Sequence, residues 1–234
     1  SWPIEPGRLP AFVDAARLLN IRGCSITIPH KIDIIPLLDK TSENVREMGA
    51  CNTLYRDGEK ICGENTDVIG FTAPLRKRSL PPETRVLVLG AGGVSRAAIA
   101  GLRRLGLANI TLTNRRKERA EALCNEFGLL CAPWEERGDV PADLIINTTP
   151  LGMTGAQEHE TPYPWAFQDN GIAYDLIYTP FQTRFLRDAA AAGWETVSGL
   201  DMFIGQGDAQ FHLWTGHHLP EEAITAVTSA LYGQ

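Results

Sequence analysis

Three short polar clusters in the first seventy residues combine residue types that can do chemistry. They are Ser25-Ile-Thr-Ile-Pro-His-Lys31, Gly49-Ala-Cys-Asn-Thr53 and Gly63-Glu-Asn-Thr-Asp67. A lysine and an aspartate at the mouth of a cleft that faces a nicotinamide suit the interconversion of an alcohol and a ketone. In that reaction a proton must move at the oxygen while a hydride moves at the carbon. The clusters therefore indicate a candidate oxidoreductase site.

Each polar side chain in these clusters can be given a role. Lys31 can supply the proton, and Asp67 can orient the ammonium group and stabilise its charge. The amides of Asn52 and Asn65, together with the hydroxyl of Thr27, can bind substrate hydroxyls. An exposed lysine and turn-capping Asn and Asp residues would explain each cluster taken alone, so that interpretation stays open at this point.

The stretch Gly90-Ala-Gly-Gly93 is a second candidate site. It follows the apolar run Val86–Leu89, which is typical of a strand buried in a parallel sheet, and it precedes a helix predicted over 94–105. Such a turn lets backbone N–H groups and the positive end of the helix dipole approach a pyrophosphate. The sixth position of the glycine motif is Ser95, so a turn that binds no ligand is the alternative.

A basic cluster indicates which dinucleotide to expect. About twenty residues after the glycines, where an NAD site usually places an acid, the chain has Asn114-Arg-Arg-Lys117 and then Arg119. Guanidinium groups pair with a 2′-phosphate that a carboxylate would repel. The sequence therefore favours NADP over NAD. A solvated basic start of a helix is the alternative interpretation.

Composition bounds the class of protein. The 234 residues are 44% hydrophobic and 21% charged, as in globular proteins, and can form one large or two modest domains. A net charge of −6 gives no general attraction to nucleic acid or to anionic membranes. We find no transmembrane run or signal peptide and expect a cytoplasmic protein. The five cysteines lack metal-binding spacing, so we expect them to be reduced and predict no metal.

The elements that must position these residues alternate between helix and strand. Strands predicted at 86–89, 109–113, 129–131, 143–147, 172–178 and 195–198 indicate an α/β fold with a Rossmann-type parallel sheet. A smaller α/β unit precedes it. In that unit the pattern predicts helices at 10–20, 32–38, 42–48 and 72–78, a strand at 24–28 and a hairpin within 52–63. Two helices, 200–216 and 221–232, end the chain.

The ordered set of motifs resembles the shikimate dehydrogenase family from about Gly23 to Gly216. Eight motifs in the same order and at similar spacing are improbable by chance. They are Thr27-Ile-Pro-His-Lys31, Gly49-Ala-Cys-Asn-Thr53, Asn65-Thr-Asp67 with Gly70-Phe71, Gly90-Ala-Gly-Gly93, Asn114-Arg115, Asn147-Thr-Thr-Pro-Leu-Gly-Met153, Asp175-Leu-Ile-Tyr-Thr-Pro180 and Gln206.

The resemblance implies a two-domain enzyme that reversibly reduces 3-dehydroshikimate to shikimate with NADPH, in aromatic amino acid biosynthesis. Residues 1–72 and 200–234 would form a discontinuous substrate domain, and residues 73–199 the NADP-binding Rossmann domain. Lys31 and Asp67 would be the catalytic dyad. The substrate would be bound by Thr27, Asn52, Gln206 and, near its carboxylate, Tyr178. The cofactor would be bound by Gly90, Ala91, Gly92, Gly93, Asn114, Arg115, Arg116, Arg119, Thr148, Gly199 and Met202.

Departures from the family pattern leave alternatives open. The family normally opens with a strand and a Ser-x-Ser loop that grips the substrate carboxylate, and this sequence lacks both. We expect them to precede Ser1 in the complete protein, since losing that strand would uncover a sheet edge. Otherwise the carboxylate is held differently. Ser25 replaces the family's usual Asn, and Arg116 replaces its commonest Thr.

Two further readings of the activity follow from these departures. One is a quinate/shikimate or aminoshikimate dehydrogenase that uses NAD or NADP. The other is a non-catalytic, cofactor-sensing paralogue, against which both residues of the dyad are intact. The sequence predicts a small-molecule substrate and no nucleic-acid or membrane partner. It leaves monomer and homodimer equally open.

Overall fold

Two separate sheets form the framework of the molecule. The computed structural model describes residues 1–27 and 29–232. The smaller sheet has the strand order β1-β3-β4-β2, in which only the β2–β4 pair is parallel. Its strands are β1 (Gly23–Ser25), β2 (Lys40–Thr41), β3 (Thr53–Asp57) and β4 (Lys60–Glu64). Strands β1, β3 and β4 pair antiparallel, and β3 and β4 form the predicted hairpin.

The larger sheet has six strands, all parallel, in the order β10-β9-β8-β5-β6-β7. The strands are β5 (Val86–Leu89), β6 (Ile110–Thr113), β7 (Leu130–Cys131), β8 (Leu144–Asn147), β9 (Ile172–Asp175) and β10 (Glu195–Val197). The chain starts at the central β5, moves outward to β7, and returns to β8 on the other side of β5. In open α/β sheets, ligands bind at the carboxyl ends of the strands at this point of reversal. The predicted α/β fold with a Rossmann-type sheet is confirmed.

The helices cover both faces of the large sheet. They are α1 (Leu9–Leu18), α2 (Glu43–Met48), α3 (Asp67–Arg76), α4 (Gly93–Arg104), α5 (Lys117–Phe127), α6 (Arg184–Ala191), α7 (Gly199–Thr215) and α8 (Glu221–Tyr232), with short 3-10 turns at Pro6–Arg8, Ile35–Leu37 and Trp134–Glu136. The small sheet lies between α1 and α7. Among the described residues, no helix is both long enough and apolar enough to cross a bilayer.

Alternation of side chains along β5 explains why the large sheet is buried on both faces. Val86 and Val88 belong to a core cluster with residues of α3, α4 and α5. Leu87 and Leu89 point the opposite way, into a second cluster with Phe167 and the residues of α6. Successive side chains of a strand point to opposite faces, so a strand that is apolar at every position must be covered twice.

Helices α3 and α7 connect the two sheets, and this junction positions the site. A Cβ atom at Gly70 of α3 would lie 2.5 Å from the carbonyl oxygen of Met202 on α7, so the two backbones approach as closely as glycine allows. Phe71 of α3 stacks on Tyr174 of β9, with ring centroids 5.2 Å apart. At its far end, α7 reaches the small sheet, where the indole N–H of Trp214 donates to the Leu54 carbonyl. 

Two predicted helices differ from the structure. Residues 32–38 form turns and a short 3-10 helix, because Pro36 has no backbone N–H to donate in the interior of the predicted α-helix. Ile34 is buried in the core of the small sheet. The helix predicted at 72–78 begins at Asp67 instead. The prediction placed Pro74 in a first turn, where proline is tolerated. The backbone N–H of Asp67 is capped by the side chain of Asn65, so the helix starts earlier and contains Pro74.

Candidate active site

A cavity of about 920 Å³ lies where the carboxyl ends of the large sheet face the small sheet. Its walls come from the end of β1, the loop before β3, α3, the loops after β8 and β9, and α7. Nine of the residues predicted from the sequence line it: Thr27, Lys31, Asn52, Asp67, Thr148, Tyr178, Gly199, Met202 and Gln206. The fold thus gathers residues that are up to 179 positions apart in the chain (206 minus 27).

Lys31 and Asp67 form an ion pair in this cavity. The Nζ atom of Lys31 donates to Oδ2 of Asp67 at 2.9 Å, and both side chains keep partial access to solvent. Asp67 is the first residue of α3, so its carboxylate lies at the positive end of the helix dipole. Lys31 is tied to the next polar cluster, because its carbonyl oxygen accepts the backbone N–H of Cys51 at 2.7 Å. An ammonium group held in this way can exchange a proton with a substrate oxygen.

Asn52 completes the polar floor beside this pair. Its Nδ2 atom donates to Oδ1 of Asp67 at 2.8 Å, and it lies 3.5 Å from Oε1 of Gln206. The suggestion that Asn65 also binds substrate is not supported. Its Nδ2 donates to the Ala50 carbonyl and its Oδ1 accepts from the Asp67 N–H, which makes it a structural residue at the start of α3. Asn65 does not appear among the residues that line the cavity.

The wall that carries Tyr178 depends on a buried carboxyl group. Asp175, at the end of β9, accepts hydrogen bonds from Thr183 Oγ1 at 2.6 Å, from the Ile177 N–H at 3.0 Å and from Asn147 Nδ2 at 3.0 Å. Burial raises the pKa of Asp175 to about 7, against these three donors. The network anchors the loop that follows, from which Tyr178 stacks on Phe203 at the cavity rim.

The glycine turn after β5 forms a second cavity of about 180 Å³. Gly90 has φ +115°, and a Cβ atom there would lie 2.5 Å from Oγ1 of Thr148, so only glycine fits without strain. Ser95, the departure from the glycine motif, is fully buried and accepts the Gly92 N–H at 3.0 Å while contacting Thr148 Oγ1 at 2.7 Å. It therefore ties the turn to the start of α4 and to β8.

Positive charge surrounds the outer part of the second cavity. Of the predicted cofactor residues, those lining it are Gly90, Ala91, Gly92, Asn114, Arg115, Arg116, Arg119 and Thr148. Three guanidinium groups and no carboxylate are found among its described lining residues, which suits a phosphate group. Gly93 begins α4 but lies outside both linings. The two cavities share Thr148, Thr149 and Pro150, so one extended ligand can occupy both.

Several lining residues were not identified from the sequence. Ser25, Met153, Phe203 and Gln210 line the first cavity, and Trp134 lines the second. Gln210 follows Gln206 by four positions on α7, a spacing that places both side chains on one face and offered a signal. No pattern in the sequence indicated that Trp134 lines a cavity, because it lies in a short segment that follows a two-residue strand at the sheet edge. No group of three or more His, Cys, Asp or Glu side chains in residues 1–27 and 29–232 is arranged to hold a metal ion.

Three segments of the chain match models of known protein families. Residues 1–54 match the model of the shikimate dehydrogenase substrate-binding domain. Residues 75–136 match shikimate / quinate 5-dehydrogenase, and residues 199–227 match the shikimate 5′-dehydrogenase C-terminal domain.

Individual relatives cover nearly the whole chain. The shikimate dehydrogenase (NADP(+)) of Pelobacter propionicus is 56% identical over 98% of this chain and 84% of its own length. Among solved structures, the shikimate 5-dehydrogenase of Thermus thermophilus in complex with NADP(H) and shikimate is 35% identical. Its TM-score is 0.84, covering 98% of this chain and 86% of that one. The ligand-free 5-ketofructose reductase of a Gluconobacter strain is 30% identical with a TM-score of 0.90, covering 99% and 86%.

Proposed function

Because the chain belongs to the shikimate dehydrogenase family, we propose that it interconverts 3-dehydroshikimate and shikimate with NADP(H), and that Lys31 and Asp67 carry the proton transfer. The chain is an NADP-dependent oxidoreductase of aromatic amino acid biosynthesis. The catalytic roles of Lys31 and Asp67 are proposed from the 2.9 Å contact between them. This pair lies in the first cavity, which is continuous with the second cavity, lined by three guanidinium groups.

The residues present fit an NADP molecule. A Cβ atom at Gly92 or Gly93 would project into open space, so the backbone there is accessible, which suits a pyrophosphate approaching Gly90, Ala91, Gly92 and Gly93. The 2′-phosphate would be held by Asn114, Arg115, Arg116 and Arg119. Thr148, Gly199 and Met202 would flank the nicotinamide half, next to Lys31 and Asp67. When bound, the cofactor supplies or accepts the hydride.

The chain's own residues handle the oxygen end of the reaction. In the direction of reduction, Lys31 donates a proton to the carbonyl oxygen of 3-dehydroshikimate as that carbon becomes an alcohol carbon; in oxidation it accepts the proton. Asp67 holds the ammonium group in place and compensates its charge. The side chains of Thr27, Asn52 and Gln206 bind ring hydroxyls, and Tyr178 lies near the carboxylate.

The domain division follows the same reasoning. Residues 1–72 and 200–234 would form the substrate domain, and residues 73–199 the NADP domain; residues 233 and 234 lie outside the described residues. Support comes from α7, which packs against α3 and whose Trp214 donates to the small sheet at Leu54. The cytoplasmic location and the choice between monomer and homodimer stay predictions.

Steady-state kinetics of the Lys31→Ala variant test the assignment. We expect kcat for shikimate oxidation with NADP+, followed by NADPH absorbance, to fall at least about a hundredfold, since general acid–base groups contribute that much. Lys77→Ala, which removes an exposed lysine at the end of α3, serves as the matched control and retains full activity. A Lys31→Ala enzyme within a factor of about two of wild type would overturn the catalytic role. Faster turnover of quinate than of shikimate by the wild type would instead revise the substrate.

A further inference from the structure

A series of hydrogen bonds leads from Ser25 and Gln210, on one wall of the cavity, to the catalytic pair. Oγ of Ser25 donates to Oε1 of Gln210 at 2.8 Å, and Nε2 of Gln210 donates to Oγ1 of Thr53 at 3.0 Å. Oγ1 of Thr53 donates to Oδ1 of Asn52 at 2.7 Å, and Nδ2 of Asn52 donates to Oδ1 of Asp67 at 2.8 Å. Ser25 and Thr53 are direct cross-strand partners of β1 and β3, and Gln210 of α7 bridges them.

One unambiguous donor fixes which group donates and which accepts in every hydrogen bond of this series. The backbone N–H of Thr66 lies 2.8 Å from Oδ1 of Asn52, and an N–H group can only donate. Oδ1 is therefore the acceptor end of the amide, and the hydroxyl of Thr53 must also donate to it. The lone pairs of Thr53 then face Gln210, which must present its NH2 group to Thr53 and its carbonyl to Ser25. In every hydrogen bond of the series, the donor is thus on the Ser25 side and the acceptor on the Asp67 side.

Thr53 cannot act by touching the substrate. Its side chain is fully buried, and it is not among the residues that line the cavity. Its hydroxyl contacts Asn52 and Gln210 and lies 3.3 Å from the hydroxyl of Thr66. Any influence of Thr53 on catalysis is therefore indirect and passes through a neighbour that lines the cavity, Asn52 or Gln210.

We propose that Thr53 and Gln210 are positioning residues that, through this one-directional chain, keep the amino group of Asn52 turned toward Asp67 and the cavity. This inference rests on the proposed function. If the side-chain amide of Asn52 were flipped by about 180°, its carbonyl oxygen would face the carboxylate of Asp67 and its NH2 group would face the Thr66 N–H. Two favourable contacts would then become repulsive. The polarity of the chain excludes that orientation.

Thr53→Val tests the inference because valine keeps the shape and removes the hydroxyl. We expect kcat/KM for shikimate to fall about tenfold, as for loss of a buried hydrogen bond, while KM for NADP+ stays unchanged. Thr53→Ser restores the hydroxyl and is expected to recover most of the activity. Thr113→Val is the matched control: its buried hydroxyl makes no hydrogen bond among the described residues, so the same substitution leaves kcat/KM unchanged.

A double-mutant cycle with Asn52→Ala separates positioning from general damage. If Thr53 acts through Asn52, Thr53→Val has less than a twofold effect in the Asn52→Ala background. Equal effects in both backgrounds, a Thr53→Val enzyme as active as wild type, or a Thr53→Ser enzyme no better than Thr53→Val would each overturn the inference.

A readout that does not depend on turnover keeps this inference distinct from the proposed function. The NMR signals of the Asn52 side-chain NH2 protons are expected to exchange with solvent at least about tenfold faster in Thr53→Val than in wild type, because the amide loses one of its fixed partners. A wild type that does not turn over shikimate would refute the function. Unchanged exchange in Thr53→Val would refute the positioning role.

Discussion

Replacing Asp175 with Asn is expected to change how the stability of the protein depends on pH. Asp175 is fully buried, and burial raises its pKa to about 7 from a reference value of 3.8. The folded state therefore binds the proton more tightly than the unfolded state. The resulting stabilisation is fully present below about pH 4 and is lost as pH rises through about 7. A gap of roughly 3 units corresponds to about 4 kcal/mol. Asn imitates the neutral form at every pH.

Urea unfolding of the two proteins, followed by tryptophan fluorescence between about pH 4.5 and about pH 8, measures this effect. The unfolding free energy of wild type minus that of Asp175→Asn is expected to fall by about 3 kcal/mol across this range, the part of the total that titrates there. Other carboxylates, such as Asp143, whose pKa is lowered by Arg85, also make stability depend on pH. Their contribution cancels in the difference, because both proteins contain them.

Asp169→Asn serves as the control, because it removes a carboxyl group at an exposed turn with φ 59°, a conformation that Asn tolerates. Its difference from wild type is expected to stay flat over the same range. A flat difference for Asp175→Asn would refute the reasoning. It would mean that the hydrogen bonds from Thr183, Ile177 and Asn147 outweigh burial and hold the carboxylate ionised.

Two further predictions concern the cofactor. Arg119→Ala is expected to raise KM for NADP+ about tenfold and KM for NAD+ less than twofold, because Arg119 lines the second cavity and a guanidinium there would form charge-assisted hydrogen bonds with the proposed 2′-phosphate. Steady-state kinetics with both cofactors checks this, with Lys117→Ala, outside the cavity, as the unaffected control. Equal changes for both cofactors would contradict it. Gly90→Ala is expected to weaken NADP+ binding and to lower the unfolding free energy by about 1–3 kcal/mol, because Gly90 has φ +115° and an added Cβ atom would collide with Thr148. Calorimetric titration measures the binding, and urea unfolding measures the stability. Gly207→Ala, where the added Cβ atom would lie in open space on α7, is the control and is expected to be neutral or stabilising.

The sequence determined much of the architecture and the chemistry. Uninterrupted apolar strands such as Val86–Leu89 and the regular alternation with helices predict a parallel sheet, since local pattern alone reports burial on both faces. The order of motifs identified the family. The residue types of Lys31, Asp67 and the arginines after β6 predicted proton transfer and a phosphate-binding cluster, because these chemical properties belong to the side chains themselves.

Only the tertiary structure decided how these residues meet. The position of α3 depended on the fit of Gly70 against Met202 of α7, a contact between residues far apart in the sequence that no local propensity encodes. Asn65 hydrogen-bonds to Ala50 and Asp67 and is not among the residues that line the cavity, although Asn-Thr follows the same pattern at Asn52 and at Asn65. The chain from Ser25 through Gln210 to Thr53 joins positions up to 185 residues apart. Hydrogen-bond direction depends on which groups face one another after packing, and for that reason the sequence by itself could not supply it.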